Sequence, residues 1–297
     1  MIPGWQTLSA PRPLAARAMR LPLAGLASPV WFASASSADL KELPGEMFLT
    51  SAESTRASAF KFGQPRENFT LGRLAGKLSL ERGRLRPREL VADVGVRAPM
   101  AATVGTSGPL TPALSLGGGE GEEFARRLRA FEIGNAERGE PVVRAGDLQS
   151  PPLASSAALD GGCKPPALAV SLSHVNGLGV AVAFPASERV GLDLELIDAK
   201  RAETVRKGVP LSAEEEAWLK ETALPEAAAL LLLWTARESL GKALGCGLAC
   251  KWETLATRQI ETTGNGVFSG RFLHQPQFVC MSWIGSEAVM SLAFAPT

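Results

Sequence analysis

From residue 168 onward the apolar positions fall into short runs. Residues 168–173 and 179–184 read as two strands around a turn containing Asn176-Gly177, the signature of a tight hairpin. A third strand is predicted from Val190, where apolar and acidic residues alternate, and three more at 267–272, 278–284 and 289–294. Helical spacing appears elsewhere. Residues 50–62 and 66–80 carry apolar side chains at that spacing, with Phe69, Leu71, Leu74 and Leu78 on one side of the second segment. Ser212 with Glu215 forms a capping box that opens another helix, and Pro225 suits the first turn of a longer one that Gly245 can end. Strands and helices grouped in this way predict an α+β fold.

Two stretches lack any such period. Residues 1–28 are rich in Pro, Ala and Arg, which predicts a poorly ordered extension, with the fold beginning near Val30. Residues 97–122 are dominated by Gly, Pro, Ala, Ser and Thr and are expected to be a disordered insertion. The triplet Gly117-Gly118-Gly119 there is not a phosphate loop, because no strand precedes it and no Lys-Ser or Lys-Thr follows.

The 297 residues are enough for a sizeable core, and a formal net charge of +1 argues against a chain-wide partner such as duplex nucleic acid. A charged ligand must therefore be bound locally. Arg12, Arg17 and Arg20 ahead of an apolar run, with Ala33-Ser34-Ala35 after it, sketch a signal peptide, but Pro22 and Pro29 interrupt the run. No apolar stretch approaches a membrane span, so a soluble, cytoplasmic protein is expected. Cys163, Cys246, Cys250 and Cys280 form neither a dense disulfide framework nor a zinc motif and are expected to be reduced packing residues.

The candidate chemistry lies in three pieces. In the strand from Val190, a period of two puts Asp193 and Glu195 on one face, where two carboxylates suit a magnesium ion shared with substrate phosphates. The same alternation also describes a half-exposed strand with a solvated acidic face. In the long helix, Glu238 and Lys242 lie four apart on one face, which also describes a surface ion pair. Trp234 reads as a core anchor. Upstream, Ser171-Leu172-Ser173-His174 ends a strand with hydroxyl and imidazole groups able to bind phosphate, the imidazole adding charge if protonated.

Taken together and in order, these pieces resemble the 4'-phosphopantetheinyl transferases of the larger, pseudo-dimeric, surfactin-synthetase-activating type. The signature G-[VI]-D-x-E appears as Gly191-Leu192-Asp193-Leu194-Glu195, and W-[ST]-x-K-E-[SA]-x-x-K appears about forty residues on as Trp234 through Lys242. The Ser-x-Ser-His block and Lys242-Ala243-Leu244-Gly245 with Gly247-Leu248 are also similar. The N-terminal likeness is looser, in residues 49–56, Phe60, Leu71-Gly72-Arg73 and the turn Gly139-Glu140-Pro141.

The resemblance implies two similar subdomains in a pseudo-twofold arrangement, each with a small, mainly antiparallel sheet on helices. The expected division is an extension at 1–29, an N-terminal subdomain at 30–186 and a C-terminal subdomain at 187–297 carrying the site. It implies transfer of the 4'-phosphopantetheine arm of coenzyme A to a serine of an acyl or peptidyl carrier protein, as in polyketide, fatty acid or nonribosomal peptide synthesis, with release of 3',5'-ADP. The implied metal ligands are Asp193, Glu195 and Glu238, for Mg2+. Asp193, Glu238 and Lys242 are the implied catalytic residues, with Glu238 as base; Arg56, Ser173, His174 and Lys242 are the implied cofactor contacts. A chain holding both halves is expected to work as a monomer, without nucleic acid or membrane. Arg237 and Glu140 stand where the family usually has lysine, and Arg138 is the nearest substitute for the latter. These departures leave two alternatives, an impaired coenzyme A-binding homologue and another magnesium-dependent phosphotransferase.

Overall fold

The computed structural model describes residues 18–21, 23, 25–26, 28–84, 118–135, 141–145, 167–264 and 266–296. The fold is α+β, with two small antiparallel sheets flanked by helices and a separate hairpin.

The first sheet has the order β1-β2-β6-β5, from Ala18–Leu21, Val30–Ser36, Leu178–Pro185 and Leu168–Val175. Between β2 and β5 run α1 (Ser37–Glu42), α2 (Gly45–Phe48), α3 (Ser51–Ser58), α4 (Gly63–Arg84), α5 (Gly118–Arg129) and the hairpin β3 (Phe131–Asn135) and β4 (Pro141–Ala145). A two-residue turn joins β5 to β6, with Gly177 at φ +76° where a side chain would be strained. The helix α3 opens on a capping box, in which Thr50 accepts from the Glu53 amide and Glu53 accepts from the Thr50 amide at 2.9 Å. Glu53 is buried and also takes bonds from Lys77 on α4 and from the Ile133 amide of β3. One carboxylate thus ties three elements together.

The second sheet has the order β7-β11-β10-β9-β8, from Val190–Leu196, Ala288–Phe294, Val279–Ile284, Val267–Phe272 and Thr257–Gly264. The helices α6 (Ala199–Gly208), α7 (Ala213–Glu221) and α8 (Glu226–Ala243) connect β7 to β8. Almost all of α8 is buried, consistent with its run of Ala and Leu, and it begins after Pro225 and ends before Gly245 at φ +69°, as its sequence predicts. The Ser212–Glu215 capping box opens α7. The two sheets share a core: Phe32, Val180 and Val182 of the first pack in one cluster with Leu192, Leu292 and Phe294 of the second.

Three expectations need correction. Within the stretch expected to be an unordered extension, Ala18–Leu21 pairs antiparallel with β2, and Leu21 is buried, because the sheet offers β2 an edge that this strand covers. In the expected insertion, residues 118–122 open α5, while the rest of 97–122 lies outside the described residues. Cys246 and Cys250 are joined in a disulfide, contrary to the expected reduced pair, while Cys280 is free and buried as expected. Two elements without an apolar period, α6 and the edge strand β8, were not visible in the pattern; β8 has one neighbour and a bulge with Gln259 at φ +49°. Among the described residues no helix is long and apolar enough to cross a membrane.

Candidate active site

Backbone contact brings the pieces together. A Cβ on Gly191 would lie 1.9 Å from the Ser239 carbonyl oxygen and 2.5 Å from the Ala243 nitrogen, so β7 rests directly on the backbone of α8 at the one residue type that fits. That close approach sets Asp193, two residues along the strand, against Lys242. The ammonium donates to Asp193 Oδ1 at 2.7 Å, to the Leu192 carbonyl at 2.9 Å and to the Leu172 carbonyl at 3.1 Å. All three of its N–H groups are engaged by β5 and β7, so Lys242 clamps the two strands together.

The Ser-x-Ser block does similar work from β5. Ser171 accepts from the Leu192 amide, while Ser173 accepts from the Leu194 amide and donates to Asp193 Oδ1 at 2.9 Å. Ser173 is thus bound to Asp193 and also lines the cavity described below. Asp193 is 4 % exposed, and its Oδ2 is buried without a hydrogen-bond partner.

Glu195, on the same face of β7, is held through one oxygen. Its Oε1 accepts from Arg201 Nη2 at 2.5 Å, Arg201 Nε at 3.1 Å and Trp234 Nε1 at 3.0 Å. Arg201 stacks over the Trp234 ring, so Trp234 is both the core anchor expected and a direct partner of Glu195. Arg201 escaped the sequence reading. Its signal was Asp198, which caps α6 and accepts from the Arg201 amide, fixing the first turn beside β7.

Glu238 is half-buried at the same cavity, and burial, together with the nearby charge of Asp193, pushes its carboxyl up to about 7. Among the described residues no three His, Cys, Asp or Glu side chains converge as a metal-binding cluster. The three carboxylates predicted as ligands share one cavity, but Lys242 occupies an oxygen of Asp193, and Arg201 with Trp234 hold Glu195.

That cavity has a volume of about 960 Å³ and lies between the two sheets. Asp193, Glu195, Glu238, Lys242 and Arg201 border it, together with Ser173, His174 and, from the first half of the chain, Arg56, Phe60, Phe69, Arg73 and Pro141. All seven predicted site residues therefore border it. Arg73, which the sequence reading took only as part of a helix motif, is added: its guanidinium lies 4.4 Å from the Phe69 ring centre, and burial pulls it down to about 10. The imidazole of His174 sits over Gly72, where a Cβ would come within 3.5 Å of it. Desolvation, then the charge of Lys242, lowers its pKa, so near pH 7 the imidazole offers the hydrogen bond expected of it without the added charge of the protonated form. Glu140 and Arg138 lie outside the described residues.

Arg237, the departure from the family pattern, does not line the cavity. It is fully buried and forks onto Glu215, with Nε 3.0 Å from Oε1 and Nη2 on Oε2, while Nη1 donates to the Pro210 and Trp252 carbonyls. Thr257 adds two more bonds to Glu215. Burial alone would raise the Glu215 pKa, but the bonds and charge of Arg237 outweigh it and hold the carboxyl below its ordinary 4.5. A carboxylate depressed on folding contributes stability that is present above its unfolded pKa and is lost as pH falls through the folded one. In a thermal-melt series, Glu215→Gln is expected to be less stable than the parent at neutral pH, with the gap closing as the pH falls below about 4.5. A gap independent of pH would rule out this origin.

No curated protein matches the chain. Residues 189–293, which run from just before β7 into β11 and carry Asp193, Glu195, Glu238 and Lys242, match the family model of the 4'-phosphopantetheinyl transferase superfamily, so this part of the chain is similar to a family of transferases.

Proposed function

We propose that the protein transfers the 4'-phosphopantetheine arm of coenzyme A to a serine of an acyl or peptidyl carrier protein, converting apo to holo carrier and releasing 3',5'-ADP. The observation that carries this reading is one cavity bordered both by the acidic strand and charged helix of the family-matched segment and by Arg56, Arg73 and His174. Cationic, hydrogen-bonding and carboxylate groups thus share the border of a space large enough for a nucleotide.

The residues fit a hard divalent cation. Asp193 Oδ2 is buried and unpartnered, and Glu238 is held partly protonated near neutral pH by burial and its acidic neighbours, both of which a cation would relieve. Asp193 and Glu238 would hold it, with the oxygen of Glu195 not taken by Arg201 and Trp234 as a third ligand. When bound, magnesium supplies charge neutralisation on the pyrophosphate.

The chain's own residues do the rest. Arg56 and Arg73 hold nucleotide phosphates, and neutral His174 donates a hydrogen bond to one of them. Lys242 fixes Asp193 in place and adds positive charge beside the reacting phosphate. Glu238 takes the serine proton as the serine oxygen bonds to the phosphorus of the pantetheine phosphate. The pyrophosphate P–O bond breaks, and 3',5'-ADP leaves. The two subdomains would carry this site as a pseudo-dimer, and β6 rests on α4 at Gly179 as β7 rests on α8 at Gly191. A monomer in the cytoplasm, free of nucleic acid, suits that arrangement.

Arg237 does not favour the impaired homologue, because its contacts are with Glu215, Pro210 and Trp252, away from the cavity. Incubation with coenzyme A, magnesium and apo-carrier proteins is expected to raise the mass of a carrier by one phosphopantetheine arm. Calorimetric binding of coenzyme A with no carrier modified across a broad panel would instead support a binding protein.

A further inference from the structure

We propose that the Cys246–Cys250 disulfide is a redox latch on one wall of the cavity, holding the turn after α8 in its ligand-binding shape when oxidised and releasing it when reduced. Leu244, Gly245 and Gly247 of this turn line the cavity, and the bridge closes over the residues that follow. The turn lies on the end of α8: the Cys246 amide donates to the Gly241 carbonyl at 3.0 Å, and a Cβ on Gly241 would meet the Gly247 carbonyl oxygen at 2.6 Å. Gly245 and Gly247 sit at φ +69° and +50°, conformations that glycine reaches easily and leaves as easily. Short loops of this kind keep one shape only while something restrains them, and a covalent bridge lowers the entropy lost when a ligand orders them.

Both bridged cysteines are half-buried, whereas Cys280, on β10, is buried in the cluster with Leu240 of α8, Phe272 and Phe278. In reducing compartments, disulfides are usually transient and redox-sensing. A thiolate of a dithiol reductant attacks one sulfur of the bridge, the S–S bond breaks as a mixed disulfide forms, and the second thiol expels the protein sulfur. Two electrons and two protons end on Cys246 and Cys250, and the reductant becomes a cyclic disulfide.

The identity of the ligand rests on the proposed function; the latch itself does not. The test uses the full chain, oxidised or reduced with a dithiol, and a Cys246→Ser, Cys250→Ser double variant, with amide hydrogen exchange and coenzyme A calorimetry on each. Reduction is expected to speed exchange in residues 244–250 and to weaken coenzyme A binding roughly fivefold by adding ordering cost, with the double variant matching the reduced form and ignoring reductant. Unchanged exchange on reduction, a double variant that still responds to reductant, or equal coenzyme A affinity in both states would overturn the latch. Coenzyme A bound by neither form would overturn the transferase reading, and exchange alone then decides the latch.

Discussion

Asp193→Asn is expected to lower kcat/KM for carrier modification by about a thousandfold while the melting temperature stays within a few degrees of the parent, because charge and not shape is what changes. The carboxylate is buried with one oxygen on Lys242 and Ser173 and the other unpartnered, so it anchors Lys242 and, on the proposed reading, would offer its second oxygen to a cation. An asparagine oxygen can keep the Lys242 and Ser173 contacts, but its neutral amide cannot offset a cation. Binding of Mn2+, followed by electron paramagnetic resonance without turnover, should weaken in parallel. A variant with near-parental turnover under saturating magnesium would remove Asp193 from the metal site. Loss of activity with unchanged Mn2+ affinity would instead confine its role to holding Lys242.

Arg237→Ala is expected to destabilise the fold by about 3–5 kcal/mol, since it leaves a buried carboxylate without its counter-charge and two carbonyls without donors. For a chain of this size that lowers the melting temperature by roughly 10 °C. Glu215→Ala should cost a similar amount, and the double variant much less than the two together, because the second truncation removes the charge that the first stranded. Additive losses would show that the two side chains stabilise independently. Arg237→Lys is expected to fall between, as one ammonium cannot reproduce the fork onto Glu215 and also reach both carbonyls. The substitution relative to the family pattern is therefore a matter of helix anchoring: Arg237 ties α8 to α7 and to the segment after the disulfide, one residue from Glu238.

Much of this was legible in the order of residues. The period of two that placed Asp193 and Glu195 on one face, the four-residue spacing of Glu238 and Lys242, and the caps at Ser212 and Gly245 are local features, fixed by backbone geometry within a few residues. So are the β5–β6 hairpin and the α+β class. Elements that depend on neighbours escaped it: β1 and β8 are strands because β2 and β9 present edges to pair with, and α6 is too polar to announce itself. The partners of the site residues escaped it as well. Nothing local links Glu195 to Trp234, or Ser173 to Asp193, because these contacts arise where strands and helix distant in sequence meet, and only the cap at Asp198 hints at Arg201. The sequence by itself determined which residues are candidates for the chemistry and, for the strand and the helix, which of them share a face. Only the tertiary structure decided what each is bonded to, and so which are charged, which are neutral and which serve as clamps, because desolvation and pairing depend on everything packed around a group.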